Sequence, residues 1–320
     1  MNYREHEEPL LGSKMNPGTT DVGPEALRFP QAIAHRGFRA QFPENTLTAF
    51  EGAVKAGAHA IETDLHLSKD GVVMISHDAT LKRCFGVEGK LIDCDYSYLK
   101  ALRTLEAPHV PMPTLKEVLE FMCQPAVLDL WLLLDIKVDN DAEDIIRETA
   151  SAIHSVNPSR DFWANRIVLG CWTLNFLQLC DYYLPGFPIT HIGFSIPYAR
   201  EFLKHPGVSF NLFHAVLSGR KGAKFMKDAR AAGREIYAWT VNDEQTMRWT
   251  IRNEIDAICT DDPIKFLGIC DGYPGGCSTG YLALQRTWQI PIMQLFAWFI
   301  SIGFRCRYRF KPKNKNGSFP

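Results

Sequence analysis

The chain has 320 residues, 46% of them hydrophobic and 23 of them glycine, which is enough for one large barrel or two ordinary domains. Its 35 Lys and Arg residues balance 36 Asp and Glu residues, and the net charge of −1 gives no reason to expect a nucleic-acid partner. The nine cysteines form no Cys-x-x-Cys pair, and an odd number without such pairs argues against a zinc site and a disulfide framework.

The N-terminal segment, residues 1–29, has scattered proline and glycine and no apolar periodicity, so we expect a mobile arm. It begins with polar and acidic residues and contains no apolar stretch that resembles a secretory signal. The sequence therefore predicts an intracellular protein.

Strand-like and helix-like segments alternate through the next part of the chain, residues 30–268. The strand-like segments are residues 32–35, 60–66, 132–137, 167–172, 189–194, 208–214, 235–241 and 257–260. Helical patterns cover residues 46–56, 114–122, 142–153, 221–232 and 244–251, with Asn45 and Asp243 in the positions of N-terminal caps. Eight strands separated by helices predict an α/β fold, a (β/α)8 TIM barrel, whose functional groups gather at the carboxyl ends of the strands.

A short apolar segment at residues 72–75 breaks the alternation, because only residues 68–71 separate it from the second strand. A parallel crossover needs about a dozen residues or more, so we expect the return arm of a β-hairpin. With Asp70 and Gly71 as the two central turn residues, Lys69 would face Val72 and His77 would lie opposite Asp64. The hairpin thus predicts that the histidine reaches the same site as the aspartate.

Chemically active side chains cluster between residues 34 and 78. Glu62 and Asp64 share one face of a strand, and two carboxylates on one face suit a hard divalent cation such as Mg²⁺ or Ca²⁺. His35 and His77 fit a general base and a general acid, because imidazole titrates near neutral pH. Arg36 is suited to bidentate capture of phosphate oxygens. Taken one by one, these residues also fit an exposed strand face, structural histidines and a surface salt bridge.

Several short motifs follow one another along the chain. They are His35-Arg36-Gly37, Pro43-Glu44-Asn45-Thr46, Glu62-x-Asp64, Lys69-Asp70-Gly71, His77-Asp78, Leu134-Asp135-Ile136-Lys137, Trp239-Thr240-Val241-Asn242 and Thr260-Asp261-Asp262-Pro263. In this order and at these separations, they resemble the glycerophosphodiester phosphodiesterase family over about residues 30–265. The resemblance implies an acid/base role for His35 and His77 and a phosphate-binding role for Arg36. It also implies that Glu62 and Asp64 bind one divalent cation.

The same resemblance bears on two further residues. The family usually has a glutamate two residues before a lysine as the third metal ligand, whereas this chain has Asp135 before Lys137. Aspartate keeps the charge but is one methylene shorter, so we expect Asp135 to bind the cation directly or through a water. Lys137 shares a strand face with Asp135 and fits either a phosphate contact or an ion pair in the barrel mouth. Trp239, at the end of the seventh strand, fits either the lining of a pocket or simple core.

The C-terminal part, residues 269–320, departs from the barrel pattern. A linker rich in glycine and proline at residues 271–276 precedes an apolar aromatic run at residues 290–304. Six basic residues follow: Arg305, Arg307, Arg309, Lys311, Lys313 and Lys315. The run is shorter than the about 20 residues that span a bilayer, but with this basic cluster it suits insertion into one leaflet of an anionic membrane. The alternative is a helix packed on the barrel with a solvated basic tail.

A single family domain with a short apolar and basic tail resembles the fungal phosphatidylglycerol phospholipase C group. We therefore expect hydrolysis of phosphatidylglycerol to diacylglycerol and glycerol phosphate, with a phospholipid substrate and an anionic membrane surface as partners. No protein partner is implied. One alternative is a glycerophosphodiesterase or lysophospholipase D that acts on deacylated or lyso substrates. Another is a non-catalytic lipid-binding protein, which the full set of histidines and strand carboxylates argues against. By resemblance, the membrane is that of the endoplasmic reticulum, the mitochondrion or lipid droplets.

Overall fold

A computed structural model describes residues 28–273 and, in the C-terminal part, residues 292–295, 297 and 299. The strands are β1 (Gln31–His35), β2 (Ala60–Leu67), β3 (Val73–Ile75), β4 (Trp131–Ile136), β5 (Ile167–Cys171), β6 (Ile189–Gly193), β7 (Val208–Phe213), β8 (Ile236–Trp239) and β9 (Ala257–Thr260). The helices are α1 (Leu47–Lys55), α2 (Lys82–Phe85), α3 (Tyr96–Leu99), α4 (Leu115–Met122), α5 (Ala142–Val156), α6 (Arg160–Ala164), α7 (Leu174–Tyr183), α8 (Ile196–Phe202), α9 (His214–Leu217), α10 (Gly219–Ala231), α11 (Glu244–Arg252) and α12 (Pro263–Asp271).

Eight parallel strands close into a barrel. Around the barrel the order is β1, β2, β4, β5, β6, β7, β8 and β9, and β9 pairs with β1 to complete the circle. β3 lies outside this circle and pairs antiparallel with β2. The structure therefore confirms the predicted (β/α)8 TIM barrel with a β-hairpin after the second strand.

Side chains on the two faces of the barrel strands belong to two different apolar clusters. Outward-facing residues such as Ile61 and Leu132 join a large apolar core, which also contains the buried faces of the helices. Inward-facing residues such as Ile33, Ala60 and Leu133 form a second apolar cluster inside the barrel. Because side chains alternate along a strand, the residues two positions further on also point inward, toward the carboxyl end of the barrel.

The predicted helix caps are correct at one helix and wrong at another. Asp243 caps α11, and its side chain accepts the N–H of Thr246 as predicted. At α1 the cap is Thr46 rather than Asn45. The Asn45 backbone is left-handed, with a φ of 57°, and its side-chain amide donates to Asp64 over 2.7 Å. The asparagine thus holds a carboxylate instead of capping the helix.

The register of the β2–β3 hairpin differs by one residue from the prediction. Asp64 lies opposite Ser76, whose N–H donates to the Asp64 carbonyl oxygen over 3.0 Å. The turn contains residues 69–71, one more than the assumed Asp-Gly pair, because the N–H of Ser68 donates to the carbonyl oxygen of Val72. His77 therefore lies one residue beyond the position opposite Asp64, and the predicted pairing of these two residues is wrong.

The segment between β3 and α4 forms a small unit at the mouth of the barrel. It contains α2 and α3 and has an apolar core of its own. This core consists of Met74, Leu81, Leu91, Leu99 and Met112, all of them buried. The unit thereby fixes α2 beside the end of β3.

We expect Gly37→Ala to destabilise the fold. Gly37 has a φ of 80°, and an added Cβ would lie 2.8 Å from the backbone carbon of Ala49 in α1. A left-handed backbone costs other residues about 1–2 kcal/mol and the overlap adds to this, so the free energy of unfolding should fall by at least about 2 kcal/mol. Chemical denaturation measures the loss. Gly71→Ala is the matched control, since Gly71 has a φ of 82° and no described atom would lie within 4 Å of its Cβ. An equal loss in both variants would contradict the role of the overlap.

The described part of the C-terminal tail contacts the barrel. The side-chain amide of Gln294 donates to the carbonyl oxygens of Ala215 and Ser218, over 2.8 and 3.0 Å, at α9. On the same helical segment, Ile292 and Leu295 are 65% and 55% exposed. Much of the predicted apolar run, the whole basic cluster, and residues 1–27 of the predicted arm lie outside the described residues. Of the helices that are described, none has the length and apolar character needed to cross a membrane.

Candidate active site

The candidate active site lies inside the carboxyl end of the barrel. His35 is the last residue of β1, Glu62 and Asp64 lie in β2, and Asp135 lies in β4. The residues before them in each strand alternate in and out, and the register directs all four side chains inward. All four are buried. The structure therefore brings together residues that are up to 100 positions apart in the chain.

The three carboxylates form one cluster. One oxygen each of Glu62, Asp64 and Asp135 lies within 4.8 Å of the other two, and Asp64 and Asp135 are direct neighbours across β2 and β4. Three buried carboxylates at this separation repel each other, and an all-oxygen set of this kind fits a hard divalent cation such as Mg²⁺ or Ca²⁺. The structure thus assembles the predicted ligand set in one place.

The pKa values of Glu62 and Asp64 shift in opposite directions. Burial raises the pKa of Glu62 well above its usual value, and the charges of Asp64 and Asp135 raise it further. Burial acts in the same direction on Asp64, but Lys137 and Arg36 hold the pKa of Asp64 well below its usual range. A bound cation would relieve the repulsion at Glu62, so the residues fit a metal site. When bound, a divalent ion supplies polarisation of the phosphoryl oxygens.

Lys137 forms the ion pair that was one of its two predicted roles. Its Nζ lies 2.6 Å from Asp64 Oδ1 and 2.5 Å from Asp135 Oδ2. Burial lowers the pKa of Lys137, but the charges of Asp135 and Asp64 more than offset this and raise it. The ammonium group is therefore charged at the centre of the site, where its phosphate contact stays a prediction.

Arg36 is held in place by carboxylates on three sides. Its backbone N–H donates to Glu62 Oε2 over 3.0 Å, and its Nη1 donates to Glu44 Oε1 over 2.9 Å. Its Nε lies 3.4 Å from Asp64 Oδ2. The backbone is left-handed, with a φ of 59°, a conformation that is uncommon for arginine and frequent at ligand sites. The guanidinium thus has a fixed orientation beside the carboxylate cluster, and its phosphate-binding role stays a prediction.

Each candidate catalytic histidine is oriented by an aspartate. His35 Nδ1 lies 2.6 Å from Asp261 Oδ1, and His77 Nδ1 lies 2.8 Å from Asp78 Oδ1. Burial lowers the pKa of His35 and Asp261 partly offsets the effect. Burial also lowers the pKa of His77, against the opposing charge of Asp64. Both imidazoles are therefore mainly neutral at pH 7, with one ring nitrogen fixed by hydrogen bonding.

Trp239 belongs to a group of half-buried aromatic residues at the barrel mouth, here called the aromatic wall. The wall consists of Trp172, Phe194, Phe213 and Trp239. The Trp239 ring centroid lies 6.0 Å from that of Trp172 and 5.4 Å from that of Phe213. Trp172 reaches the carboxylate cluster directly, because its Nε1 donates to Asp135 Oδ1 over 2.6 Å. Trp239 also packs against the apolar cluster inside the barrel, so its place in the lining of a pocket stays a prediction.

Besides Asp78 at His77, further residues contact the site although no role in it was predicted for them. Asn45 holds Asp64, Asp261 holds His35, and Trp172 holds Asp135. The first two lie in motifs that carry the family resemblance, so the motif itself was the available signal. Trp172 directly follows β5, and the rule that barrel sites lie at strand ends was the available signal for it.

Comparison with known sequences gives consistent matches. The model of the glycerophosphoryl diester phosphodiesterase family matches residues 35–265. A human lysophospholipase D is 28% identical over 275 residues, which cover 73% of this chain and 83% of the relative. A glycerophosphodiester phosphodiesterase from Bacillus altitudinis is 27% identical, over 74% of this chain and 96% of the relative.

Solved structures agree with these matches. A glycerophosphodiester phosphodiesterase from Thermotoga maritima is 29% identical with a TM-score of 0.61, over 76% of this chain and 99% of that one. A phosphodiesterase from Oleispira antarctica, in complex with its product sn-glycerol-3-phosphate, is 25% identical with a TM-score of 0.65, over 76% and 97% of the chains. The part of the chain that the family model matches contains every candidate site residue. This chain therefore belongs to the glycerophosphoryl diester phosphodiesterase family and is a phosphoric diester hydrolase.

Proposed function

We propose that the chain hydrolyses glycerophosphodiesters, both deacylated ones and lysophospholipids. The observation that carries this proposal is the convergence of two histidines, an arginine and three carboxylates inside one end of the barrel. The similar proteins support it, since they are named as a glycerophosphodiester phosphodiesterase and a lysophospholipase D, and one solved structure holds sn-glycerol-3-phosphate. These names favour deacylated and lyso substrates, the alternative expected from the sequence, over intact phosphatidylglycerol.

The proposed reaction uses the histidines as an acid/base pair. A water or a substrate hydroxyl attacks phosphorus while one imidazole removes its proton and the other protonates the leaving oxygen. Arg36 and Lys137 stabilise the negative charge on the phosphoryl oxygens. Glu62, Asp64 and Asp135 hold one divalent cation in the same site.

Intact phosphatidylglycerol is a second candidate substrate, and the tail is the observation that favours it. The apolar run at residues 290–304 and the basic cluster after it combine two attractions to an anionic membrane. Ile292 and Leu295 are exposed, while Gln294 binds at α9, directly after the strand β7 that ends at the barrel mouth. We propose that the tail attaches the enzyme to an anionic membrane of the endoplasmic reticulum, the mitochondrion or lipid droplets. Diacylglycerol and glycerol phosphate would then be the products.

An assay with three substrates side by side tests both candidates. Glycerophosphocholine, lysophosphatidylcholine and vesicles of phosphatidylglycerol are offered with a divalent cation, and the products are identified by mass spectrometry. Release of choline from the first two substrates supports the main proposal. Release of diacylglycerol from the vesicles supports the second candidate. No hydrolysis of any of the three would contradict both.

Removal of residues 285–320 is expected to release the protein from anionic vesicles and to slow hydrolysis of lipid in a bilayer. Turnover of glycerophosphocholine should be spared, because every candidate catalytic residue lies before position 265. Cosedimentation with vesicles measures binding, and parallel assays measure turnover. Added salt should weaken the contribution of the basic cluster and leave apolar insertion largely in place.

Two results would contradict the tail prediction in different ways. A truncated protein that still sediments with vesicles would show that another surface is the main anchor. A loss of glycerophosphocholine turnover would show that the tail supports the barrel itself. Gln294→Ala is the matched control, since it removes the two hydrogen bonds to the barrel but keeps the apolar run and the basic cluster.

A further inference from the structure

Arg83, a residue outside the predicted site, forms hydrogen bonds to two carboxylates that contact residues of the site. Arg83 lies in α2, in the unit between β3 and α4. Its Nη1 and Nη2 donate to the two carboxylate oxygens of Glu44 over 2.9 and 2.7 Å. Its Nε donates to Asp78 Oδ2 over 2.6 Å. A single guanidinium therefore holds two carboxylates from different parts of the chain.

Each of these carboxylates in turn holds one candidate active-site residue. Glu44 Oε1 accepts Nη1 of Arg36, and Asp78 Oδ1 lies 2.8 Å from Nδ1 of His77. Arg36 lies in the loop after β1, whereas His77 follows the hairpin strand β3. Arg83 thus connects the phosphate-binding flank of the site to one of its two histidines.

The charges explain why this position suits an arginine. Burial alone would raise the pKa of Glu44, but Arg83, Arg36 and Arg39 lower it to about 2. Burial likewise opposes ionisation of Asp78, and Arg83 lowers its pKa to about 2. Both carboxylates are therefore ionised at neutral pH. Holding two carboxylates with three nitrogens requires the planar fork of an arginine, which a lysine lacks.

We propose that Arg83 is a positioning residue for the phosphodiesterase reaction, which fixes Glu44 and Asp78 and through them orients Arg36 and His77. The inference rests on the proposed roles of Arg36 and His77. Loss of Arg83 removes neither carboxylate from the chain, but it removes the hydrogen bonds that set the positions of Glu44 and Asp78 relative to each other. A displacement of about 1 Å in a catalytic group can cost a hundredfold in rate.

Arg83→Ala and Arg83→Lys test the inference, with Arg147→Ala as the matched control. Arg147 in α5 has the same side-chain exposure of 46% and also pairs with two carboxylates, those of Asp144 and Glu148. With glycerophosphocholine as substrate, Arg83→Ala should lower kcat by about ten- to a hundredfold. Arg83→Lys should recover part of the loss, and Arg147→Ala should stay within twofold of the wild type. Thermal midpoints establish that each variant is folded.

A double-mutant cycle separates positioning from direct substrate contact. In a Glu44→Gln and Asp78→Asn background, Arg83→Ala should cost less than it does in the wild type, because its partners are already altered. An equal cost in both backgrounds, or a rise in KM with kcat unchanged, would overturn the inference. So would normal kcat in a folded Arg83→Ala variant.

Nuclear magnetic resonance of the His77 imidazole gives a readout that is independent of turnover. Arg83→Ala should shift its nitrogen signals, and Arg147→Ala should leave them in place. If the wild type hydrolyses no glycerophosphodiester, the proposed function fails, whereas the imidazole signals still decide on positioning. Identical signals in the wild type and Arg83→Ala would overturn the inference.

Discussion

His35→Ala and His77→Ala are each expected to lower kcat by at least about a hundredfold, because positioned acid and base groups contribute about 10²–10⁴. Asp261 fixes the ring of His35 at the end of β1, and Asp78 fixes the ring of His77 after β3. Both rings lie at the carboxyl end of the barrel and keep part of their surface exposed, 11% for the His35 side chain and 36% for that of His77. We therefore expect both variants to fold. Steady-state kinetics with glycerophosphocholine measure kcat, and thermal midpoints show whether each variant is folded.

His154→Ala serves as the control for these variants. His154 lies on the exposed face of α5, so its replacement should leave kcat and stability unchanged. Near-normal turnover in a well-folded His35→Ala or His77→Ala protein would exclude that histidine from acid/base catalysis. Loss of activity together with loss of the folded state would call for His→Gln variants, which keep much of the volume without titrating near pH 7. Normal turnover in a folded glutamine variant would likewise exclude that histidine from acid/base catalysis.

The barrel could be predicted because its strands leave a clear pattern in the sequence. A strand buried on both faces is an apolar run, and alternation of such runs with amphipathic helices allows few architectures. The segment predicted at residues 257–260 has the same bounds as β9, and the other strands differ at their ends by up to two residues. Ends are harder to predict because the chain often stays extended after strand pairing stops.

The hairpin register could not be predicted from the Asp-Gly pair alone. Ser68 Oγ donates to Asp70 over 2.7 Å and accepts the N–H of Val72 over 2.8 Å. These local side-chain bonds stabilise a turn one residue longer than the common two-residue form. Because the side-chain period of a strand is two, one extra residue decides which residue faces Asp64.

Strand spacing alone placed the carboxylates of β2 together, whereas the contacts that hold the loop residues of the site could not be predicted. Glu62 and Asp64 share a face through strand geometry alone, so their spacing was sufficient. The contact of Arg83 with Glu44 joins residues 39 positions apart, and that of Asp261 with His35 joins residues 226 positions apart. No local periodicity encodes such pairs, because they depend on how the barrel closes and how the inserted unit packs on it.

Removal of divalent cations is expected to abolish turnover, and Mg²⁺ or Ca²⁺ should restore it. Glu62, Asp64 and Asp135 form the predicted ligand set, and burial together with the charges of Asp64 and Asp135 raises the pKa of Glu62. Metal binding requires the ionised form, so affinity should fall as the pH decreases through the raised pKa of Glu62. Titration calorimetry at several pH values measures this dependence without reference to activity.

Variants of the carboxylates localise the cation. Glu62→Gln and Asp64→Asn should lose both metal binding and turnover, whereas Asp144→Asn, at a half-exposed position in the first turn of α5, should keep both. In the wild type, a cation at 100 times its dissociation constant should stabilise the fold by about 2.7 kcal/mol, which a rise in the thermal midpoint detects. Full turnover in thoroughly metal-free protein would contradict the prediction.

Asp135→Glu is the most informative of these variants, because it restores the ligand that the family usually has. The added methylene extends the carboxylate further into the cluster but displaces it from Trp172, whose Nε1 donates to Asp135 Oδ1 over 2.6 Å. If Asp135 binds the cation through a water, the longer side chain should bind directly and metal affinity should rise. If Asp135 already binds directly, the longer side chain should crowd the site and affinity should fall. If metal affinity is unchanged in both Asp135→Glu and Asp135→Ala, Asp135 is not a ligand. Among the described residues, the predicted ligand set would then contain only the carboxylates of Glu62 and Asp64.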